Sequence, residues 1–315
     1  MWNDFRTLIS DKRRFLISSH LSLDGDSVGS QIAMRWYLES LGKEVEIYNC
    51  DPVPRKFMFL QGAGEFQATL QKRQYDVLVV LDCSNLHRLG WDAEQAAPVM
   101  ANIDHHRDNT CFGKVNIVDN HAAATGEIIF RFFSENSVDY PPFVAEALYT
   151  AIMTDTGGFR FSNTSSHILR ICAELADHGA DCSNIYEHVY ASHSPEGLML
   201  HSRIWSTLQY HLEGKVCTME LPLAILDELG ARYSDSEGMA DYTITAEGVE
   251  VGMLIKYNPS ESHFSLRSKG TVDVGRIAQK IPGGGGHFSA AGCTVSRPFH
   301  EAFPFMLDIL RQEIG

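Results

Sequence analysis

The segment YDVLVVLD, residues 75–82, constrains the fold more than any other part of the chain. It is almost wholly apolar, rich in valine and too short for a buried helix, so it predicts a strand that is covered on both faces. Such strands are typical of parallel sheets, in which crossover helices cover the two faces. We therefore expect an α/β protein.

Short apolar runs and helical patterns alternate through the first half, which favours a parallel sheet flanked by helices. Besides 75–82, the predicted strands are 15–20, 44–50 and 99–104. The predicted helices are 27–42, 125–136 and 141–156. This half is interpreted as one domain, residues 1–188.

The second half has a different pattern of predicted helices and strands. A helical stretch at 185–208 is interrupted by Ser194-Pro195, and 189–208 is predicted to connect two domains. Strands are predicted at 210–221, 249–258 and 262–268, then a helix at 271–281 and a glycine loop at 283–292. Residues 209–315 are thus expected to form a smaller α/β domain with a mixed sheet.

Charge and hydropathy limit the partners. The 315 residues include 40 acidic and 26 basic side chains, and the formal charge of −14 opposes binding along a long phosphate backbone. The chain contains no run of 18 apolar residues, and its start lacks a signal-peptide pattern, so a cytoplasmic protein that does not enter a membrane is expected. A homodimer is a further hypothesis, which no surface pattern in the sequence supports.

Acidic and imidazole side chains follow the predicted strands, at the sheet edge where open α/β proteins bind ligands. They are His20, Asp24, Asp26, Asp82, Asp104, His105, His106 and Asp155. Each piece alone is also typical of a helix cap or a polar turn. If four aspartates of this set (24, 26, 82 and 155) converge, however, their repulsion must be neutralised, and two divalent cations would do so. Asp82, at the end of the most apolar strand, is the candidate bridge, and the imidazoles favour manganese over magnesium.

The glycine loop GGGGHFSAAG predicts a second site. Four successive glycines let backbone N–H groups approach a phosphate or ribose, with His287 as a further donor. The alternative is a flexible turn between a helix and a strand. Arg267, Ser268 and Lys269 end a nearby predicted strand and favour an anion site in the same half.

Taken together, the order H-x-x-x-D-x-D, D, D-H-H, D resembles the DHH phosphoesterase superfamily, and SLRSKG…VDVGRIAQKIPGGGGHFSAAG resembles its DHHA1 domain. The layout is similar to the nanoRNase subfamily of oligoribonucleases and pAp phosphatases. The resemblance implies an active site in the cleft between two domains and two Mn²⁺ ions, with Mg²⁺ or Co²⁺ as substitutes. It assigns one ion to His20, Asp24 and Asp82, and the other to Asp26, Asp82, His105 and Asp155.

The resemblance also implies roles for the remaining residues. His106 would face the scissile phosphate, and Asp104 would orient the histidines, so that His106, Asp82 and Asp104 form the catalytic group. The far end of the substrate would be held by Arg267, Ser268, Gly284, Gly285, Gly286 and His287.

The implied enzyme is a hydrolase, an oligoribonuclease and 3′(2′),5′-bisphosphate nucleotidase. It would degrade RNA of about two to five nucleotides, whose few phosphates an acidic chain tolerates, to mononucleotides. It would also convert 3′-phosphoadenosine 5′-phosphate (pAp) to AMP. The alternatives are a phosphodiesterase of cyclic or linear dinucleotides, a RecJ-like single-strand exonuclease, a pyrophosphatase of the superfamily and a non-catalytic nucleotide sensor.

Overall fold

The computed structural model describes residues 2–71, 74–286 and 288–314. The chain divides into two compact units, Met1–Ser192 and His193–Gly315. In the described ranges, every helix is too short or too polar to cross a membrane.

A parallel sheet of five strands forms the centre of the first unit, in the order β2-β1-β3-β4-β5. The strands are β1 Arg14–Ser18, β2 Glu44–Ile47, β3 Val77–Leu81, β4 Met100–Asp104 and β5 Val115–Val118. Every residue of the central strand β3 is buried, because helices cover one face of the sheet and the segment that includes Leu89, Ala93 and Ala97 covers the other. The predicted parallel sheet is confirmed; β5, short and half polar, was not predicted.

Six helices of the described residues accompany this sheet. They are α1 Asn3–Ser10, α2 Gly25–Ser40, α3 Thr125–Glu135, α4 Pro142–Asp155, α5 Ser166–Asp177 and α6 Cys182–Tyr190. Helices α2 and α4 approach so closely that a Cβ atom on Gly29 would lie 2.1 Å from the carbonyl oxygen of Ala147. A Cβ atom on Gly25 would lie 2.4 Å from Oγ1 of Thr154. The glycines therefore bring the start of α2 against the end of α4.

The second unit contains a mixed sheet in the order β10-β11-β9-β8-β7-β6, in which only the β7–β8 pair is parallel within the described residues. Its strands are β6 Gln209–His211, β7 Val216–Pro222, β8 Val251–Tyr257, β9 Ser262–Ser268, β10 Gly285–Gly286 and β11 Ala290–Val295. Its helices are α7 Pro195–Trp205, α8 Ala224–Leu229, α9 Met239–Tyr242, α10 Val274–Ala278 and α11 Phe299–Ile314. The predicted mixed sheet is confirmed.

The two faces of this sheet are covered differently. On one face, Val251, Met253 and Phe264 pack against α10 and α11. On the other, Met219 and Leu254 pack against α7 and α9.

Several predicted element bounds were wrong. Run 210–221 is two strands, because Leu212 and Glu213 adopt positive φ angles and turn the chain. The helix expected over 271–281 covers only Val274–Ala278, which Asp273 caps. The glycine loop ends early, because alternate residues of β11 are buried and pair with β9. Helix α2 begins at Gly25 rather than at residue 27, since Asp24 is its N-cap.

Candidate metal centre

The ligand candidates of the first unit lie at one edge of the parallel sheet. His20 follows the end of β1, Asp82 follows β3, and Asp104 is the last residue of β4. Asp26 lies in the first turn of α2, and Asp155 is the last residue of α4. Because parallel strands end at a common edge, residues far apart in sequence meet there.

Three groups of ligand atoms form this candidate metal centre. They are His20–Asp24–Asp82, Asp26–His105–Asp155 and Asp82–His105–His106, and within each group the atoms lie within 4.8 Å of one another. The two oxygens of Asp82 face different groups: Oδ2 is 3.3 Å from Nε2 of His20, and Oδ1 is 3.5 Å from Nε2 of His105. One buried carboxylate is thus positioned between two clusters, as a carboxylate that bridges two ions must be.

The backbone of Asp82 has an unusual left-handed conformation, which fits the placement of its side chain between the two groups. Its φ angle is +53°, in the left-handed region that aspartate and asparagine adopt more readily than other non-glycine residues. The Asp82 N–H still donates to the carbonyl of Ile103 at 3.0 Å, and the hydroxyl of Thr125 donates to Oδ1 at 3.3 Å. The turn at the end of β3 therefore redirects the side chain to the sheet edge.

Two of the candidate ligands also hold helices in place. Oδ1 of Asp24 accepts the N–H of Ser27 at 2.9 Å, and its Oδ2 lies 3.6 Å from Nε2 of His20. The Asp26 carboxylate accepts the N–H groups of Thr125 at 2.6 Å and Gly126 at 2.8 Å. Asp26 thereby caps α3, whose own N-cap residue is an alanine without a capping side chain.

Asp104 lies behind the histidines. Its Oδ1 is 2.7 Å from Nδ1 of His106 and accepts the N–H of His105 at 2.8 Å. The amide of Asn109 donates both to Asp104 and, at 2.7 Å, to Oδ1 of the buried Asn102. Sequence reasoning did not identify the two asparagines, although an asparagine inside the apolar strand β4 was a usable signal.

The electrostatics of the cluster favour positive charge there. Burial alone would lower the pKa of His20, but hydrogen bonds and charges from Asp24 and Asp82 raise it to about 11. Burial raises the pKa of Asp26, and repulsion from Asp82 and Asp155 raises it further. Burial opposes ionisation of Asp82 as well, yet hydrogen bonds with His105 and His20 hold its pKa well below the usual range. Protons on histidines thus neutralise carboxylates, a task that divalent cations with mixed oxygen and imidazole ligands would also perform.

The candidate substrate-binding residues Arg267 and Ser268 of the second unit lie on opposite faces of β9. Arg267 is half-buried and pairs through Nε with Oδ1 of Asp241 at 2.5 Å. Ser268 is buried on the opposite face of β9, where its hydroxyl accepts the N–H groups of Gly270 at 3.1 Å and Val272 at 3.3 Å. His287 lies outside the described residues.

The fold itself requires two of the three candidate glycines. A Cβ atom on Gly284 would lie 2.2 Å from the carbonyl oxygen of Ala278, and Gly286 has a φ angle of +141°. A Cβ atom on Gly285 would meet no described residue within 4 Å.

A parallel sheet with a buried carboxylate and imidazole cluster at its carboxyl edge is an architecture that could hold metal ions for phosphoryl-transfer chemistry. The model of the DHH family, N-terminal domain, matches residues 14–152, and that of the DHHA1 domain matches residues 213–315. The chain is 32% identical to the bifunctional oligoribonuclease and PAP phosphatase NrnA of Thermus thermophilus over 303 residues, covering 95% of this chain and 89% of the relative. It is 22% identical to NrnA of Bacillus subtilis, covering 89% and 88% of the two chains.

A crystal structure of an exopolyphosphatase-related protein from Bacteroides fragilis superposes with a TM-score of 0.92. The two proteins are 26% identical, and the match covers 98% of this chain and 95% of that one. The chain therefore belongs to the DHH/DHHA1 family. The expected enzyme class, a metal-dependent phosphoesterase hydrolase, is confirmed.

Proposed function

We propose that the protein is a Mn²⁺-dependent phosphodiesterase that degrades very short oligoribonucleotides to mononucleotides and converts pAp to AMP. The observation that carries this proposal is the Asp82 carboxylate, whose two oxygens face two separate groups of ligand atoms. The relatives named oligoribonuclease and PAP phosphatase support the choice of substrates.

The donor atoms fit two ions. His20, Asp24 and Asp82 would hold one, and Asp26, Asp82, His105 and Asp155 the other. When bound, two such ions supply an activated water and neutralise charge on the reacting phosphate. Asp82 keeps both groups at a fixed spacing, and the backbone N–H groups that hold Asp26 leave its remaining lone pairs for an ion.

His106 is the residue proposed to meet the scissile phosphate. Asp104 holds the imidazole through Nδ1 and, with the charge of Asp82, raises its pKa against the effect of burial. The raised pKa favours the protonated imidazole, which in this fixed orientation would donate to phosphate oxygens whose negative charge grows in the transition state.

The second unit is proposed to hold the far end of the substrate. Arg267 carries the positive charge, and the remaining groups are the small residues Ser268, Gly284, Gly285 and Gly286 and the imidazole of His287. Ser268 would contribute by shaping the end of β9, since its hydroxyl is occupied by backbone N–H groups. The charge of −14 supports a preference for substrates with few phosphates.

The test is a panel of substrates with the Mn²⁺-loaded protein: a 5′-phosphorylated diribonucleotide, a long single-stranded RNA, pAp, cyclic di-AMP and pyrophosphate. We expect rapid cleavage of the diribonucleotide and of pAp, and little cleavage of the others. Asp82→Asn is the control for contaminating nucleases and must be inactive. The proposal would be refuted if the diribonucleotide stayed intact while the long RNA, cyclic di-AMP or pyrophosphate was cleaved. The cleaved compound would then indicate the true class of substrate.

A further inference from the structure

The face of the second unit's sheet on which Met219 and Leu254 pack also carries a group of polar side chains. Along β9, His263, Ser265 and Arg267 are half-buried on this face, whereas Phe264 and Leu266 are fully buried on the other. In the antiparallel register, Lys256 of β8 lies opposite His263. Lys256, His263, Ser265 and Arg267 therefore share one face of the sheet.

Lys256 is the unusual member of this face. It is only 8% exposed, and its ammonium lies 4.1 Å from the ring centre of Tyr233. No hydrogen bond or ion pair of this ammonium is found among residues 2–71, 74–286 and 288–314. Burial lowers the pKa of Lys256 to about 8; the charge of Glu237 opposes this effect and that of Arg267 adds to it. The Nζ atom is not among the fully buried polar atoms without a partner, so the ammonium keeps access to the surface, where phosphate oxygens would supply charged hydrogen-bond acceptors.

His263 offers a second contact beside Lys256. Its Nδ1 is 3.0 Å from the hydroxyl of Thr294, which holds the ring in place. The other ring nitrogen, Nε2, lies 3.7 Å from the point where a Cβ atom on Gly292 would be. The imidazole thus extends over Gly292, the residue that pairs with Ser265.

Gly292 and its strand partner Gly285 leave this part of the face clear. Among the residues that the structure describes, the nearest neighbours of a Cβ atom would be 3.5 Å away at Gly292 and beyond 4 Å at Gly285, and neither residue has a positive φ angle. Packing and backbone geometry therefore do not require glycine at either position, in contrast to Gly284 and Gly286. Glycines that the fold does not require allow a ligand to approach the backbone closely.

We propose that Lys256 and His263 form a phosphate subsite on this face, above the Gly285–Gly292 pair. For the identity of the ligand, this inference rests on the proposed function. Both proposed substrates carry a phosphate besides the one that is cleaved: pAp keeps its 5′-phosphate, and a 5′-phosphorylated dinucleotide keeps its own. Lys256 binds this retained phosphate by charge, and His263 binds it by a hydrogen bond, so that the subsite selects substrates with a terminal phosphate.

The test compares Lys256→Met, which keeps the length of the side chain but removes the charge, with Lys256→Arg. The Mn²⁺-loaded protein is assayed on a diribonucleotide with a 5′-phosphate and on the same dinucleotide with a 5′-hydroxyl. Lys256→Met should raise KM for the phosphorylated substrate about tenfold more than KM for the other, as loss of a charged hydrogen bond predicts. Lys256→Arg should recover part of this discrimination. If Lys256→Met changed KM equally for the two substrates, or did not change it, the proposed subsite would be refuted.

Two further measurements separate this proposal from a structural role and from the proposed function. A structural lysine would lower Tm when replaced by methionine, whereas a lysine that serves mainly to bind the ligand should leave the Tm of the ligand-free protein nearly unchanged. If the unmodified protein cleaves neither dinucleotide, the proposed function fails, and the subsite is then tested by equilibrium dialysis of 5′-AMP against adenosine. We expect the unmodified protein to prefer 5′-AMP and Lys256→Met to lose this preference; an unchanged preference would refute the subsite.

A second variant tests the site without changing a charge. Gly292→Val places a branched side chain beneath the imidazole of His263, in a strand that favours valine. It should raise KM for the phosphorylated dinucleotide, and Gly292→Ala, which fits at ordinary contact distances, should do so less. Equal KM values in the two variants and the unmodified protein would show that no ligand lies against Gly292.

Discussion

Nδ1 of the His106 imidazole lies 2.7 Å from Oδ1 of the fully buried Asp104. The same carboxylate is held by the N–H of His105 and by the amide of Asn109. The orientation of His106 is therefore set from within the fold, as in metal sites whose imidazoles are supported by a carboxylate behind them.

Asp104→Asn tests this positioning role. Removing the charge lowers the pKa of His106 towards its usual value, so the alkaline limb of the pH profile of kcat should move to lower pH. The rate at neutral pH should fall about 10- to 100-fold while bound Mn²⁺ is retained. Loss of the metal, or an unshifted profile, would contradict the assignment.

Asp82→Asn and Asp82→Ala separate the carboxylate from its backbone conformation. Both should lose Mn²⁺ and reduce kcat roughly a thousandfold or more, because the shared ligand of both groups is gone. Asparagine tolerates the φ angle of +53°, so Asp82→Ala should be about 1 kcal/mol less stable than Asp82→Asn. Metal content by atomic absorption and chemical denaturation measure the two effects. A variant that keeps both ions would exclude Asp82 as the bridge.

The stability gained from Mn²⁺ should depend on pH. In the metal-free protein the pKa of His20 is raised from 6.5 to about 11. Its stabilising contribution is complete below pH 6.5 and is lost as the pH rises towards 11. Mn²⁺ competes with these protons and binds more tightly as the pH rises. The Mn²⁺-induced increase in Tm should therefore grow between about pH 6 and 9, and less so in His20→Asn. An increase that shrinks over this range would show that protons do not compete with the metal.

Gly29→Ala should disrupt the contact between α2 and α4. The added methyl group would lie 2.1 Å from the backbone oxygen of Ala147, which cannot move aside cheaply. We expect a loss of about 3 kcal/mol or more in the free energy of unfolding, measured by urea denaturation. Mn²⁺ affinity should weaken as well, because Asp26 and Asp155 move apart. Gly64→Ala is the matched control, since its nearest contact is 3.8 Å away; equal losses in the two variants would disprove a specific clash.

Sequence patterns predicted most of the strands and most of the ligand candidates because both are local signals. The apolar run before Asp82 indicates a buried strand by itself, and parallel strands end at one edge whatever the details of packing. For the same reason, His20, Asp82 and Asp104 could be assigned to a common site before their distances were known. The bounds of strands near glycines were harder to predict from the sequence. Whether 290–295 is a strand or a loop depends on its pairing with β9, which is a contact between distant segments.

Contacts between distant segments decided the rest. Asp26 caps a helix that begins about one hundred residues later, and no periodicity in either segment indicates that contact. Ser268 and Arg267 are neighbours in the motif, yet the pleat of β9 places them on opposite faces. The positions of Lys256 beside Tyr233 and of His263 above Gly292 likewise depend on packing and strand register. Local residue patterns thus determine which elements form and where they end, whereas the pairing of those elements in space determines which side chains meet.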